Sequence, residues 1–255
     1  RREDGVSVDN RQVNINVNPS SITGTSGVLI EAGELVNTSK ITGNGTLVAN
    51  VTGKVTNASI GNVIGKMEGN MVLVEGTQGV TNIGGEIRGG EATQVTSKEG
   101  KVLNESTITS ETIMSQPQNG GRRGFILRRA SAPEVISVTE SIRNIGKIEG
   151  NGLVNVEGKE VENIAGNIKG KTGTYIKSTE KDIVDKTISL KDEKKGAVET
   201  KEVTRPVVVR GFGRPIPTGE TETVQESTRW DTLNKMKTVS GEIGDGGNTV
   251  LDSKR

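Results

Sequence analysis

Hydrophobic residues in this chain recur in short phrases, each closed by a glycine. The phrases are Ile22-Thr23-Gly24, Ile41-Thr42-Gly43, Met67-Glu68-Gly69, Ile87-Arg88-Gly89, Ile148-Glu149-Gly150 and Ile168-Lys169-Gly170. The steps from Gly24 to Gly43, from Gly69 to Gly89 and from Gly150 to Gly170 are nearly equal, and that from Gly43 to Gly69 is somewhat longer. The gap between Gly89 and Gly150 is close to three such steps. A fixed period near twenty marks a repeat architecture.

The rest of each period is also patterned. A second aliphatic strand follows the glycine, as at Val28-Leu29-Ile30, Leu47-Val48, Met71-Val72-Leu73-Val74, Leu153-Val154-Asn155-Val156 and Tyr175-Ile176. A Gly or charged turn then leads to a third strand ending in asparagine, as in Gly53-Lys54-Val55-Thr56-Asn57 and Gly100-Lys101-Val102-Leu103-Asn104. These asparagines are Asn37, Asn57, Asn82, Asn104, Asn144 and Asn163. They keep the same period, with two periods between Asn104 and Asn144. No segment sustains the i, i+3, i+4, i+7 spacing of an amphipathic helix. β-Branched residues and frequent Gly/Asn turns favour strands of about 3–5 residues throughout.

Three short strands per turn of about twenty residues predict an all-β fold, a parallel β-helix of about ten coils. Ile, Val and Leu stack inside, and alternates such as Thr42, Arg88, Glu149 and Lys169 face water. Glycine serves corners that need positive φ or close backbone approach. The repeated Asn either stacks its amide on that of the next coil, forming a ladder, or acts as an ordinary turn residue.

Composition supports a thin core. Of 255 residues, 30% are hydrophobic and 2% aromatic, with 35 glycines. A formal charge of +1 provides no overall field for nucleic acid or an anionic membrane, so neither partner is predicted. No stretch approaches the ~18 apolar residues of a membrane span. The chain starts at Arg1 and reads as a fragment, 1–255, of something longer.

Histidine and cysteine are both absent. Ser/His/Asp and Cys/His nucleophile arrangements are therefore ruled out, and a zinc site is not expected. The acidic residues Glu68, Glu86, Glu149 and Glu157 are scattered beside Lys, Arg or turns, without an aromatic platform for sugar stacking. No catalytic residue, cofactor or metal is assigned, and the chain is read as a non-enzyme. Asn37, Asn44, Asn50, Asn57 and Asn104 each begin an Asn-x-Ser/Thr sequon.

Two excursions break the rhythm, at about 107–140 and about 188–238. Each contains Arg-Gly-Phe, and these are the only two Phe residues. They are read as strand pairs that leave the shaft and return. Their clusters, Arg122, Arg123, Phe125, Arg128 and Arg129 in the first and Arg210, Phe212 and Arg214 in the second, are the candidate recognition residues. Such clusters can hold a phosphate or sugar surface; they can equally be solvated hairpin tips.

The stretch Asn82-Ile83-Gly84-Gly85-Glu86-Ile87-Arg88-Gly89, followed by Gly100-Lys101-Val102-Leu103-Asn104, resembles the hemagglutinin repeats of filamentous-hemagglutinin-like exoproteins. These include the stalk proteins of two-partner secretion and contact-dependent growth inhibition. Asn163-Ile164-Ala165-Gly166-Asn167-Ile168-Lys169-Gly170 matches the same pattern. The resemblance implies a right-handed β-helical filament with extra-helical hairpins, secreted and anchored at a Gram-negative outer-membrane surface. It implies adhesion or delivery of a C-terminal toxin, a cell-surface protein or glycan receptor on a host or neighbouring bacterium, and an outer-membrane transporter of the two-partner type. Asn18-Pro19-Ser20 does not complete the family's Asn-Pro-Asn-Gly secretion signature, and Val161-Glu162-Asn163-Ile164 is one residue short of its Val-Glu-Asn-Asn pretoxin marker. The alternative is a polysaccharide-binding or polysaccharide-cleaving β-helix, such as a phage tail spike or a lyase.

Overall fold

A computed structural model describes residues 20–115, 134–196, 198–211, 214–229, 231–244 and 247–254. Every regular element among them is a β-strand. The repeat folds as a right-handed parallel β-helix of about seven coils.

The first coil holds β1 (Ser21–Gly24), β2 (Gly27–Ala32) and β3 (Leu35–Asn37). In the next three coils the first two strands run on as one, giving β4 (Lys40–Val51), β5 (Lys54–Ala58), β6 (Lys66–Gly76), β7 (Gly79–Ile83), β8 (Glu86–Thr96) and β9 (Lys101–Glu105). The first excursion contributes β10 (Thr107–Met114) and β11 (Val135–Asn144). The fifth and sixth coils are β12 (Lys147–Gly150), β13 (Leu153–Gly158), β14 (Glu160–Ile164), β15 (Asn167–Gly170), β16 (Gly173–Ser178) and β17 (Ile183–Lys186). The second excursion adds β18 (Ile188–Lys195), β19 (Val198–Gly211), β20 (Arg214–Arg229) and β21 (Thr232–Val239), and β22 (Glu242–Ile243) and β23 (Asn248–Ser253) begin a seventh coil.

The glycine-closed phrase sets the register. Ile22, Ile41, Met67, Ile87, Ile148, Ile168 and Ile243 are successive partners across parallel strands, as are the glycines that follow the first six. Met67, Ile87, Ile148 and Ile168 are fully buried, whereas Ile22 at the first coil is 53% exposed. Parallel columns of Ala49, Val74, Val95, Val156 and Ile176 on the second strands, and Val55, Val80, Val102 and Val161 on the third, complete the core. Each fully buried aliphatic side chain contributes about 1.5–3 kcal/mol. A core this thin needs many coils.

Two expectations change. Gly89 and Gly150 are direct partners, so the gap between them is one coil and the excursion occupies the rest. This and the second excursion reduce about ten expected coils to about seven. The first and second strands merge in β4, β6 and β8 because the corner stays extended and absorbs its spare residues as register shifts, at Gly43/Thr46 and Gly69/Met71. Of the two roles expected of glycine, the phrase-closing residues serve close approach: a Cβ on Gly89 would overlap the Ala92 carbonyl and meet Thr93 Oγ1 at 2.8 Å.

The chain divides into two compact units, each with its own contacts. The described parts of 12–109, 140–190 and 237–255 form the solenoid. Those of 110–139 and 191–236 form a second unit, built from the two excursions.

Candidate functional site

One corner of the coil organises this molecule. It lies between the third strand of one coil and the first strand of the next, and the repeated asparagine sits there. Asn37 Nδ2 donates to Asn57 Oδ1 at 2.7 Å, Asn57 to Asn82 at 2.8 Å, Asn82 to Asn104 at 2.7 Å and Asn104 to Asn163 at 2.8 Å. Asn57, Asn82 and Asn104 are fully buried. The predicted ladder is therefore formed, and every step runs in one direction.

Each amide also donates to backbone: Asn82 to Gly85 O at 2.9 Å and Lys147 O at 3.2 Å, and Asn163 to Gly166 O at 2.8 Å. The following glycine must approach this amide closely. A Cβ on Gly85 would stand 2.6 Å from Asn82 Oδ1, and one on Gly166 would stand 2.8 Å from Asn163 Oδ1.

Asn144 is a correction. The ladder passes from Asn104 directly to Asn163, whose strands pair. Asn144 instead ends β11, where its backbone N–H donates to Thr107 Oγ1 at 3.1 Å and its amide to Gly61 O at 3.4 Å. Its spacing from Asn104 matches two periods, but the span lies within an excursion. A residue that sequence reading missed takes the last rung. Asn163 Nδ2 donates to Asp185 Oδ1 at 2.9 Å. The spacing Ile183-Val184-Asp185, parallel to Val161-Glu162-Asn163, is its signal. An ionised carboxylate only accepts hydrogen bonds, so it suits the end of a chain of donors.

Both excursions leave from this corner. The link from the ladder residue to the corner carbonyl it bonds is shortest at Asn37–Ser39, next at Asn82–Gly85 and Asn163–Gly166, and longer at Asn57–Gly65. It holds a whole excursion at Asn104–Gly146 and again at Asp185–Gly241. The corner nevertheless closes alike: Asn57 donates to Gly65 O at 3.0 Å and Asn104 to Gly146 O at 3.0 Å.

At Ser59 and Ser106, two positions after a ladder asparagine, a serine faces a left-handed residue of the next coil. Ser59 Oγ donates to Gly84 O at 2.5 Å and Ser106 Oγ to Ala165 O at 2.6 Å, where Gly84 and Ala165 have φ of 59° and 48°. Asn-x-Ser at Asn57 and Asn104 is thus a structural signature: one amide in the ladder and one hydroxyl closing the corner.

The carboxylates singled out in the sequence are not brought together. Glu86 lies between Lys66 and Lys147, each at 3.1 Å, and Glu162 between Lys101 at 2.6 Å and Lys186. Desolvation pushes the Glu86 carboxyl up, but hydrogen bonds and charge from the two lysines outweigh it and hold the group below its ordinary value. Glu162 is also lowered, chiefly by its hydrogen bond from Lys101 and then by that from Lys186. Glu68 pairs with Lys40 at 3.6 Å, Glu157 with Lys177 at 2.9 Å, and Glu149 accepts from Asn167 at 3.4 Å.

In the second unit, β10, β11, β18 and β21 form one sheet in that order. Strands β11 and β18 are antiparallel, pairing Ser137 with Lys194 and Thr139 with Asp192. The excursions are thus not two separate hairpins. At one end of this sheet the Ser115 N–H meets Glu134 O at 2.8 Å, Lys195 Nζ meets Glu134 Oε2 at 2.8 Å, and the Gly196 N–H meets Asp231 O at 2.9 Å. Both excursions leave and re-enter the sheet at this end.

The second continues as an antiparallel ribbon, β19 with β20, whose last pairs are Arg210↔Pro215 and Gly211↔Arg214. Arg210 and Arg214 therefore flank its tip. Arg122, Arg123, Phe125, Arg128, Arg129 and Phe212 lie outside the described residues.

Comparisons with protein-family models, with curated proteins and with solved structures find no match.

Proposed function

We propose that this chain is an internal stalk segment of a large secreted bacterial surface exoprotein, which displays the excursion-built unit for attachment to a cell-surface protein or glycan. Presentation of a C-terminal toxin on the same stalk is consistent with this role. The observation that carries the reading is the permissive corner. The coils keep their register whether the link there is as short as Asn82–Gly85 or as long as Asp185–Gly241. A rigid rod that accepts insertions at one corner suits the display of variable recognition elements.

Charge supports placing recognition in the excursions. Residues 203–219 contain Arg205, Arg210 and Arg214 and no acidic residue, while the flanking ribbon carries Glu199, Glu202, Glu220, Glu222 and Glu226. Residues 116–133 contain Arg122, Arg123, Arg128 and Arg129 and again no acid. Two basic, Phe-containing segments held by one sheet suit an anionic or polar receptor surface. Lysines hold the Glu86 and Glu162 carboxyls low, which suits ion pairing along the coil rather than a general-acid role.

The test is binding of the purified chain to epithelial and bacterial cells, compared with a variant in which both excursions are replaced by the short Asn82–Gly85 connection. The intact chain should bind, and the trimmed solenoid should retain its β-sheet circular dichroism without binding. Equal binding by both would place recognition on the coils, and no binding by either would reduce the chain to a spacer.

A further inference from the structure

Among the described residues, Ala165 is the one residue other than glycine with a positive φ, 48°. A Cβ makes that conformation costly, and it persists only where surrounding contacts over-determine it. Ala165 is buried in the short corner between Asn163 and Gly166. That corner follows β14, which pairs with β9 on one side and β17 on the other. The first excursion leaves after β9 and the second after β17.

The two backbone groups of Ala165 bond to these two neighbours separately. Its carbonyl accepts from Ser106 Oγ at 2.6 Å, and its N–H donates to Lys186 O at 2.8 Å. Ser106 stands where the first excursion leaves, and its buried hydroxyl also accepts from the N–H of Gly146, where that excursion returns, at 3.1 Å. The Ser106 N–H donates to Ile164 O at 3.0 Å. Lys186 ends β17, at the start of the second excursion. In a parallel strand the N–H and C=O of one residue bond the same neighbour. The left-handed turn at Ala165 sends them to opposite ones. The same construction occurs two coils earlier, where Gly84, with φ of 59°, accepts from Ser59 Oγ at 2.5 Å and donates from its N–H to Glu105 O at 2.7 Å.

We infer that the Ala165 corner is a coupling element that fixes the roots of the two excursions against each other, so that a change at one root alters the other. Ser106 is a positioning residue in it, because one hydroxyl joins the exit and the return of the first excursion to the corner that holds the second. Roots held at a fixed offset suit the pairing of β11 with β18, in which Ser137 meets Lys194 and Thr139 meets Asp192. The inference concerns bonds inside the coils and stands whether or not the excursions bind a receptor.

Residue-resolved amide hydrogen exchange on the full chain tests it, with one root altered and the other read. Ser106→Ala removes the hydroxyl, and exchange at the Ala165 N–H, which is bonded to the second root, should accelerate by about tenfold. Ala165→Val puts a β-branched residue at a φ it resists, and exchange at the Gly146 N–H, on the first root, should accelerate likewise. Ala165→Gly keeps the left-handed turn without the strain, and protection at Gly146 should be retained. Exchange in β5, in a coil remote from this corner, should match that of the unaltered chain in all three. Unchanged exchange at Ala165 in Ser106→Ala, or at Gly146 in Ala165→Val, would overturn the coupling. So would acceleration that extends equally to β5, because it would mark a general loss of packing.

Discussion

At the residue scale, stability depends on polar groups as much as on aliphatic ones. Asn82→Ala leaves the Asn57 Nδ2 without its side-chain acceptor and Asn104 Oδ1 without its donor, both fully buried. Leaving such groups unpaired costs about 1–3 kcal/mol each. Chemical denaturation should therefore show a loss of about 3 kcal/mol or more for Asn82→Ala, while Asn144→Ala, at a half-buried strand end, should stay within about 1 kcal/mol. Equal effects would mean the ladder is incidental.

Glu86 and Glu162 carry a second prediction, on pH. Both carboxyls are lowered in the folded chain from the ordinary value of 4.5. Their contribution is present above that value, where the unfolded chain is also ionised. It is lost as pH falls toward the folded-state values, because the unfolded chain then takes up protons more readily. The melting temperature should drop below about pH 4.5, and the double variant Glu86→Gln with Glu162→Gln should have a flatter profile over the same range. A profile identical to that of the unaltered chain would rule the two carboxylates out as its source.

At the scale of the element, the coil corner joins glycine, asparagine and serine into one device. Its weak point is the glycine beside each amide. Gly85→Ala drives a methyl onto Asn57 Nδ2 and Asn82 Oδ1 and should cost about 1–3 kcal/mol, in the range of other overpacked sites. Gly33 has no neighbouring atom within 4 Å of the same added carbon, and Gly33→Ala should change stability by under about 1 kcal/mol. Thermal melts of the pair measure this contrast; similar melting temperatures would refute the steric role of Gly85. Alternation of Ser59 with Gly84 and of Ser106 with Ala165 shows two chemistries closing the same bend. A serine hydroxyl supplies a donor to the carbonyl of the coil above, and that coil uses a left-handed residue to aim the carbonyl at it.

At the scale of the whole molecule, the excursion-built unit couples distant parts of the chain. Strand β18 uses β11 as a sheet neighbour, although Thr139 and its partner Asp192 belong to different excursions. Replacing the first excursion with a short turn removes that neighbour. Amide hydrogen exchange in β18 around Asp192–Lys194 should then accelerate at least tenfold, while exchange in β7 and β9 stays as before. Unchanged protection in β18 would show that the second excursion folds alone. The solenoid is held together by pairing and stacking of neighbouring coils, so damage should spread to adjacent coils rather than unfold the chain at once.

Much of the coil was determined by sequence alone. The period of the glycine-closed phrase, the inward Ile and Val columns and all the ladder asparagines except the misplaced Asn144 follow from local spacing, because alternate residues of each strand must point inward in every coil. Only the tertiary structure decided where a coil resumes after an interruption. Asn144 occupies a plausible interval but has no ladder neighbour, whereas Asp185 is chemically different yet falls where Asn163 needs an acceptor. Spacing along the chain cannot rank these two, because the ladder is defined by hydrogen bonds between coils, one of them joining Asn104 to Asn163 across a whole excursion. The same holds for the excursions, which read as two hairpins and meet in one sheet. Pairing between segments that far apart has no local signature.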